Sequence, residues 1–412
     1  MDPTLLFIAG GAAAIGFYMA WSIGANDVAN SMATAVGAKA ITFRQAVLIA
    51  GILNFAGAIL LGPHVAGTIK GNIVKSSMIS DSHTMLLGFI ASLIAAAIWV
   101  TLSTWKELPI STTHSVIGAL IGFGIIAGGV SSIDWTVMGK VASSWILSPL
   151  FGCIIAFIVF KIIVKTIFAK DEPVKASKIV GPIAIGITAF LIVSSLFLKT
   201  KLSEISGISD LPEVLLISTV ISTTVCIIAM FLLRNIEAKS AEDYVTVESI
   251  FRKLQIITCC YVAFSHGAND VANAIAPVAA IIPLASGEMS LTAEIPTELL
   301  ALGGIGIAFG CITWGRRVMI TVGEKITSLT NTRGFSVEFA AATTVLVSSK
   351  LGLPVSTSHT VVGAVIGVGL ARGLEAIDLS VIKKIVVSWL LTVPIAAATS
   401  AVIFICLRAI IG

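Results

Sequence analysis

Charged residues are what this sequence lacks most. Lys, Arg, Asp and Glu make up only 12% of 412 residues, roughly half the ~25% that a soluble globular chain carries. With 57% hydrophobic residues and a mean hydropathy of +1.03, the chain cannot clothe an aqueous surface, whereas a bilayer suits it. The formal net charge is +4, and the Lys and Arg are scattered rather than striped, which excludes a nucleic-acid binder. Glutamine occurs only at Gln45 and Gln255, a scarcity that fits a heat-tolerant chain.

Other absences narrow the class further. No alternating ten-residue pattern of a membrane barrel is found, so every apolar run reads as helix. Met1-Asp2-Pro3 lacks the basic segment of a cleavable leader, so residues 5–21 are expected to stay as the first membrane segment. The six cysteines, Cys153, Cys226, Cys259, Cys260, Cys311 and Cys406, lie in apolar stretches without metal-ligand spacing and read as free thiols acting as small hydrophobes. No nucleophile–base pair stands out, so neither an enzyme nor a cofactor is expected.

What the chain does have is apolar runs of bilayer length. They fall near 5–21, 46–61, 86–104, 116–130, 145–160, 179–198, 214–233, 254–282, 299–314, 337–349, 361–370 and 385–407. The expected class is an all-α polytopic membrane protein of about 12 transmembrane segments, several of them too short or too long to be simple spans.

Two passages repeat. Gly24-Ala25-Asn26-Asp27-Val28-Ala29-Asn30 recurs letter for letter from Gly267 to Asn273, at an offset of 243. Leu108-Pro109-Ile110-Ser111-Thr112-Thr113-His114-Ser115 recurs as Leu353-Pro354-Val355-Ser356-Thr357-Ser358-His359-Thr360, at an offset of 245. A weaker third match sets Ser144-Trp145-Ile146-Leu147 against Ser388-Trp389-Leu390-Leu391. Order and spacing are kept, so residues 1–165 and 251–412 read as two copies of one unit, joined by 166–250 with two more helices. Internal duplication in a membrane chain is a transporter pattern.

Loop charge gives the relative orientation. Lys39 and Arg44 follow the first copy's opening segment, while 287–298 after the second copy's carries three glutamates and no Lys or Arg. With basic loops on the cytoplasmic side, the first copy begins outside and the second inside. The repeats are therefore expected to be inverted, with 161–178 cytoplasmic. Lys70 and Lys75 run against the rule.

The chemistry lies in the repeated passages. Asp270 stands 17 residues beyond Lys253, about 25 Å of helix, deep within a hydrocarbon core of about 30 Å. An intramembrane carboxylate is costly and needs a partner. The apolar run continues past it, so a helix break at Gly267 is expected. In the second passage proline ends one helix and suits the first turn of the next. Ser111, Thr112 and Thr113 then supply capping hydroxyls. Each copy reads as a helical hairpin interrupted at a polar turn, and a half-helix N-terminus ringed by hydroxyls suits an anion. His114 and His359 either meet the ligand or orient the turn. Gly118, Gly122 and Gly124, with Gly363, Gly367 and Gly369, are spaced for close helix packing.

An anion beside Asp27 and Asp270 would be repelled. A cation between them removes the conflict, and Asn26, Asn30, Asn269 and Asn273 offer the carbonyl oxygens that a hard monovalent ion such as sodium prefers. A proton on the aspartates would serve similarly. Cation–anion symport follows; a passive anion channel would need cationic rings and is disfavoured by the deep carboxylates.

The doubled passages resemble the paired signature of the inorganic phosphate transporter family, and the resemblance covers both halves. It implies phosphate as substrate, uptake with sodium or protons through inverted repeats, and a homodimer in the cell membrane. Carried over by position, it implies a binding set of Asn26, Asp27, Asn30, Ser111, Thr112, Thr113 and Ser115. The mirror set is Asn269, Asp270, Asn273, Ser356, Thr357, Ser358 and Thr360. The hydroxyl residues are assigned to phosphate, and the Asn and Asp residues to sodium. The connecting region is short, so regulation through a large central domain is not expected.

Overall fold

The computed structural model describes residues 3–66, 73–75, 78–79, 81–199, 206–208, 210–236, 243–287, 295–350 and 355–411. Thirteen α-helices account for nearly all of them. In chain order they are α1 (Pro3–Gly37), α2 (Phe43–Ala66), α3 (Ser82–Trp105), α4 (Thr112–Gly128), α5 (Trp135–Ile163), α6 (Pro173–Lys199) and α7 (Leu211–Leu233). Then follow α8 (Asp243–Ala285), α9 (Thr297–Trp314), the short α10 (Arg316–Ile320), α11 (Asn331–Lys350), α12 (Thr357–Arg372) and α13 (Leu379–Ile411).

Each of the twelve apolar runs falls on a helix of its own. Nine helices among the described residues are long and apolar enough to cross a membrane. The other three belong to two hairpins, α3–α4 and α11–α12. Helices α4 and α12 have 17 and 16 residues, short of the ~20 a full crossing needs, and α11 carries Arg333 and Glu338. Large side chains such as Ile52, Ile146, Leu216, Leu232 and Leu390 face outward, as lipid contact allows and water does not.

The hairpin turns take the form that local chemistry dictates. Ser111 and Ser356 are extended N-caps, at φ −85° and −89°, whose hydroxyls accept from the backbone N–H of His114 and His359 at 3.2 and 3.3 Å. Capping satisfies donors that the first helical turn would otherwise leave unpaired. At their far ends, α4 and α12 stop at Gly129 and Gly373 with φ of +75° and +120°, a backbone conformation that favours glycine. Leu353 and Pro354, which open the second turn, lie outside the described residues, as do Lys70 and Glu288 of the loop-charge reading.

The break expected at Gly267 is not there. Helix α8 runs unbroken for 43 residues, about 64 Å at 1.5 Å per residue. Its first turns carry Asp243, Glu248, Arg252 and Lys253, so much of the excess lies beyond the apolar stretch. Gly267 serves packing instead: a Cβ there would sit 2.1 Å from the Asn54 carbonyl oxygen of α2. Gly24 in α1 likewise lies against the Ile307 carbonyl of α9.

The hairpins exchange partners between the halves. Helix α4 packs on α13, and α12 on α5. Gly118 and Gly122 bring the α4 backbone onto Val393 and Ala397, while Gly363 and Gly367 bring α12 onto Pro149 and Cys153. Both hairpin turns are thereby carried to one level beside α1 and α8, which bear the aspartates. All six cysteines are free; Cys259 and Cys311 are buried, and Cys406 is exposed.

Candidate binding site

Asp27 and Asp270 lie buried where α1 and α8 meet, and hydroxyls reach this centre from both hairpins. Thr112 of α4 donates to Asp27 Oδ2 at 2.7 Å, and Ser358 of α12 donates to Asp27 Oδ1 at 3.3 Å. Asn30 extends its amide to Ser358 Oγ at 2.9 Å and Thr357 Oγ1 at 3.4 Å. Asn273 does the same for the other hairpin, donating to Thr113 Oγ1 at 3.1 Å, and it also reaches Asp270 Oδ1 at 3.4 Å. Each asparagine thus links its own helix to the hairpin of the opposite half.

The remaining residues of the expected set are placed differently. Asn26 donates to Thr104 Oγ1 and the Leu108 carbonyl at 2.9 and 3.1 Å, and its oxygen accepts from the Ile110 N–H at 3.2 Å. Its amide therefore holds the first hairpin turn. Ser115 and Thr360, both fully buried, donate to the Ser111 and Ser356 carbonyls of their own helices at 2.9 and 2.8 Å. Asn269 is only half-buried and faces a small cavity lined also by Asn30, His266, Tyr261, Ser265 and Thr357. Of the hydroxyl residues assigned to phosphate, Thr112, Thr113, Thr357 and Ser358 are those that meet the Asn and Asp side chains.

Two functional groups escaped the sequence reading. His266 stands one residue before the second Gly-Ala-Asn-Asp passage, where the first copy has Ile23. Its Nε2 packs directly against Asp270 Oδ2 and lies 3.8 Å from Asp27 Oδ2. Its Nδ1 meets Asn54 Oδ1 at 2.7 Å. Asn54 Nδ2 is occupied by the Ala50 carbonyl, so the Asn54 oxygen accepts and Nδ1 donates. Asp27, His266 and Asp270 bring ligand atoms within 4.8 Å of one another, a spacing that a single cation could bridge. This histidine makes the centre unequal, because it takes Asp270 while the hairpin hydroxyls take Asp27.

The second is Glu338 on α11, buried at 2% exposure, where the first copy has Leu93. Thr34 donates to its Oε1, and Thr258 donates to Oε2 at 2.6 Å. Thr34 is seven residues beyond Asp27 on α1, about 10 Å along the axis. The carboxylate therefore belongs to a separate polar pocket between α1, α8 and α11. Reading the copies against each other at offsets of 243 and 245 would have exposed both residues, as polar groups standing where the partner copy is apolar.

The model of the phosphate transporter family matches residues 23–400. A protein of Thermococcus kodakarensis named a phosphate permease is 50% identical over 405 residues, covering 98% of each chain. The chloroplastic inorganic phosphate transporter 2-1 of Arabidopsis thaliana is 40% identical over 420 residues, covering 94% of this chain and 70% of its own length. A solved structure described as the sodium-dependent phosphate transporter matches with a TM-score of 0.89 and 46% identity, covering 98% of this chain and 100% of that one.

Proposed function

Because this chain belongs to the phosphate transporter family, we propose that it carries inorganic phosphate across the cell membrane in symport with sodium, by alternating access. The family is one of transporters and not of enzymes. The likeness to a sodium-dependent transporter favours sodium over protons as the partner ion. Residues 1–165 and 251–412 act as inverted repeats around residues 166–250, with the N-terminus outside, and the working unit is a homodimer.

The observation that carries this reading is the double hold on Asp27, whose carboxylate accepts from Thr112 of one hairpin and Ser358 of the other. A hydroxyl has one proton to give. While that proton is directed at Asp27, it is not available to an anion. Sodium bound by Asp27 and Asp270 takes over the carboxylate oxygens and releases Thr112 and Ser358 toward phosphate, alongside Thr113 and Thr357. The cation also cancels the repulsion between carboxylates and phosphate, which is severe in a site shielded from water. Each ion therefore favours the other. Asn30 and Asn273 tie the cation helices to the hairpins, while Asn26, Ser111 and Ser356 hold the turns in shape.

Phosphate uptake into proteoliposomes, with sodium and proton gradients imposed separately, tests the reading. Saturable uptake driven by the sodium gradient alone is expected. Uptake driven by the pH gradient without sodium would reassign the cation, and flux that ignores both gradients would point to a channel.

A further inference from the structure

Two features of the sequence have no part in the site described above: the histidine after each hydroxyl turn, and the Ser-Trp pair of the third repeat. The fold brings them together. His114 and His359 are buried at 4% and 1% exposure, and their rings meet edge to face at a centroid distance of 5.0 Å. The His359 ring stacks on Trp389 of α13 at 3.9 Å and 25°. The His114 ring packs against Trp145 of α5 at 5.7 Å. Trp145, His114, His359 and Trp389 thus form one row of four rings running from α5 to α13 through the first turns of both hairpins.

We propose that His114 and His359 are positioning residues, joined with Trp145 and Trp389 into a stack that fixes the two hydroxyl turns against each other. The proposal rests on the reading that those turns bind phosphate. Three observations carry it. Residues two apart on a helix point about 200° apart, so His114 lies on the side of α4 opposite Thr112, and His359 lies opposite Thr357. The rings therefore brace the backs of the turns whose fronts meet Asp27 and Asn30. Both ring nitrogens of His359 are buried without a hydrogen-bond partner among the described residues, so this ring works through its faces. Finally, Trp389 does two jobs: its ring stacks on the second hairpin's histidine, while its Nε1 donates to the Pro109 carbonyl of the first hairpin's turn at 2.9 Å. One side chain thereby grips both turns.

Phosphate uptake into proteoliposomes, measured against phosphate concentration, separates stacking from direct ligation. The double variant His114→Phe/His359→Phe keeps flat rings and is expected to keep the wild-type KM. The double variant His114→Ala/His359→Ala loses the stack and is expected to raise KM about tenfold, in line with the worth of aromatic pairs, with a smaller change in maximal rate. Trp389→Phe retains a ring but loses the N–H to Pro109; a rise of about threefold is expected from one hydrogen bond, and this variant decides the matter if the double alanine variant does not fold. Loss of phosphate affinity in the phenylalanine pair as deep as in the alanine pair would overturn the proposal, since imidazole nitrogens would then be ligands. An unchanged KM in a folded alanine pair, or in Trp389→Phe, would overturn it as well. Wild-type vesicles run in parallel keep the two readings apart: their failure to take up phosphate counts against the proposed function, and the variants are then ranked with the oxyanion that wild type carries.

Discussion

Thr112 donates its hydroxyl proton to Asp27 at 2.7 Å across 85 residues of sequence. The donor comes from the turn suited to an anion and the acceptor from the helix suited to a cation. Neither partner can serve its own ion fully while it serves the other residue. In the proposed symport, coupling of the two ions rests on the hydroxyl protons that Thr112 and Ser358 direct at Asp27, and several consequences can be measured.

The residues of a hydroxyl turn divide by role. Ser111→Ala removes an N-cap and should lower stability by about 1 kcal/mol, leaving phosphate affinity near wild type. Thr112→Ala removes a donor to a charged oxygen, worth about 1.5–3 kcal/mol, and should weaken phosphate binding at least tenfold in a stably folded protein. Phosphate titration beside detergent melting curves checks both. Equal effects of the two variants on binding would contradict the division.

The tight crossings depend on particular glycines. A Cβ on Gly122 would lie 1.9 Å from the Ala397 carbonyl oxygen, whereas one on Gly139 meets nothing within 4 Å. Gly122→Ala should destabilise by about 1–3 kcal/mol or more, as overpacking does. Gly139→Ala should be neutral or stabilising by up to about 1 kcal/mol, through helix propensity. Melting temperatures of the purified variants give the comparison, and a harmless Gly122→Ala would mean that α4 and α13 stand farther apart.

Two caps outside the membrane segments set an acid limit. Backbone N–H groups of Val137 and Thr136 hold the Asp134 carboxyl below its usual range, and the Ser380 hydroxyl with the Val381 N–H does so for Asp378. A depressed carboxylate contributes stability above its unfolded pKa of about 3.9, and that stability is lost as pH falls through the lower folded value. The gap in melting temperature between wild type and Asp134→Ala should therefore be the same at pH 7 and pH 5, and narrow only toward pH 3. A gap that closes between pH 7 and 5 would show that another group titrates there.

The proposed inversion of the two repeats makes a labelling prediction. Single cysteines at Lys170 and Glu298, placed in a background without native thiols, should react with a membrane-impermeant reagent from opposite sides. Labelling of both from one side would end the inverted reading.

Much of this was legible because it is local. Proline followed by hydroxyls dictates a helix stop and a capped restart, so the hairpins could be read from Pro109 and Ser111 alone. The doubled Asn-Asp passage announced its depth through its distance from Lys253. What sequence could not show is pairing at long range. Ser358 reaches Asp27 across 331 residues, and only the crossed packing of α12 on α5 brings it there. Gly267 misled because a glycine in an overlong helix suggests a break, whereas here it makes room for the Asn54 backbone. His266 and Glu338 were missed because attention to what repeats hides what differs.

In the proposed mechanism the aspartates hold the cation that makes phosphate bind. Calorimetric titration of phosphate, with and without sodium, tests it in wild type, Asp27→Asn and Asp270→Asn, which keep size while deleting charge. Linkage requires each ion to raise the other's affinity by the same factor. In wild type, sodium should strengthen phosphate binding markedly. In Asp27→Asn that enhancement should vanish, since both hairpin hydroxyls converge on this carboxylate. In Asp270→Asn, where His266 is the principal partner, it should fall but need not fall equally. Full sodium dependence surviving in both variants would contradict the account, placing the cation elsewhere and leaving the two carboxylates a structural role.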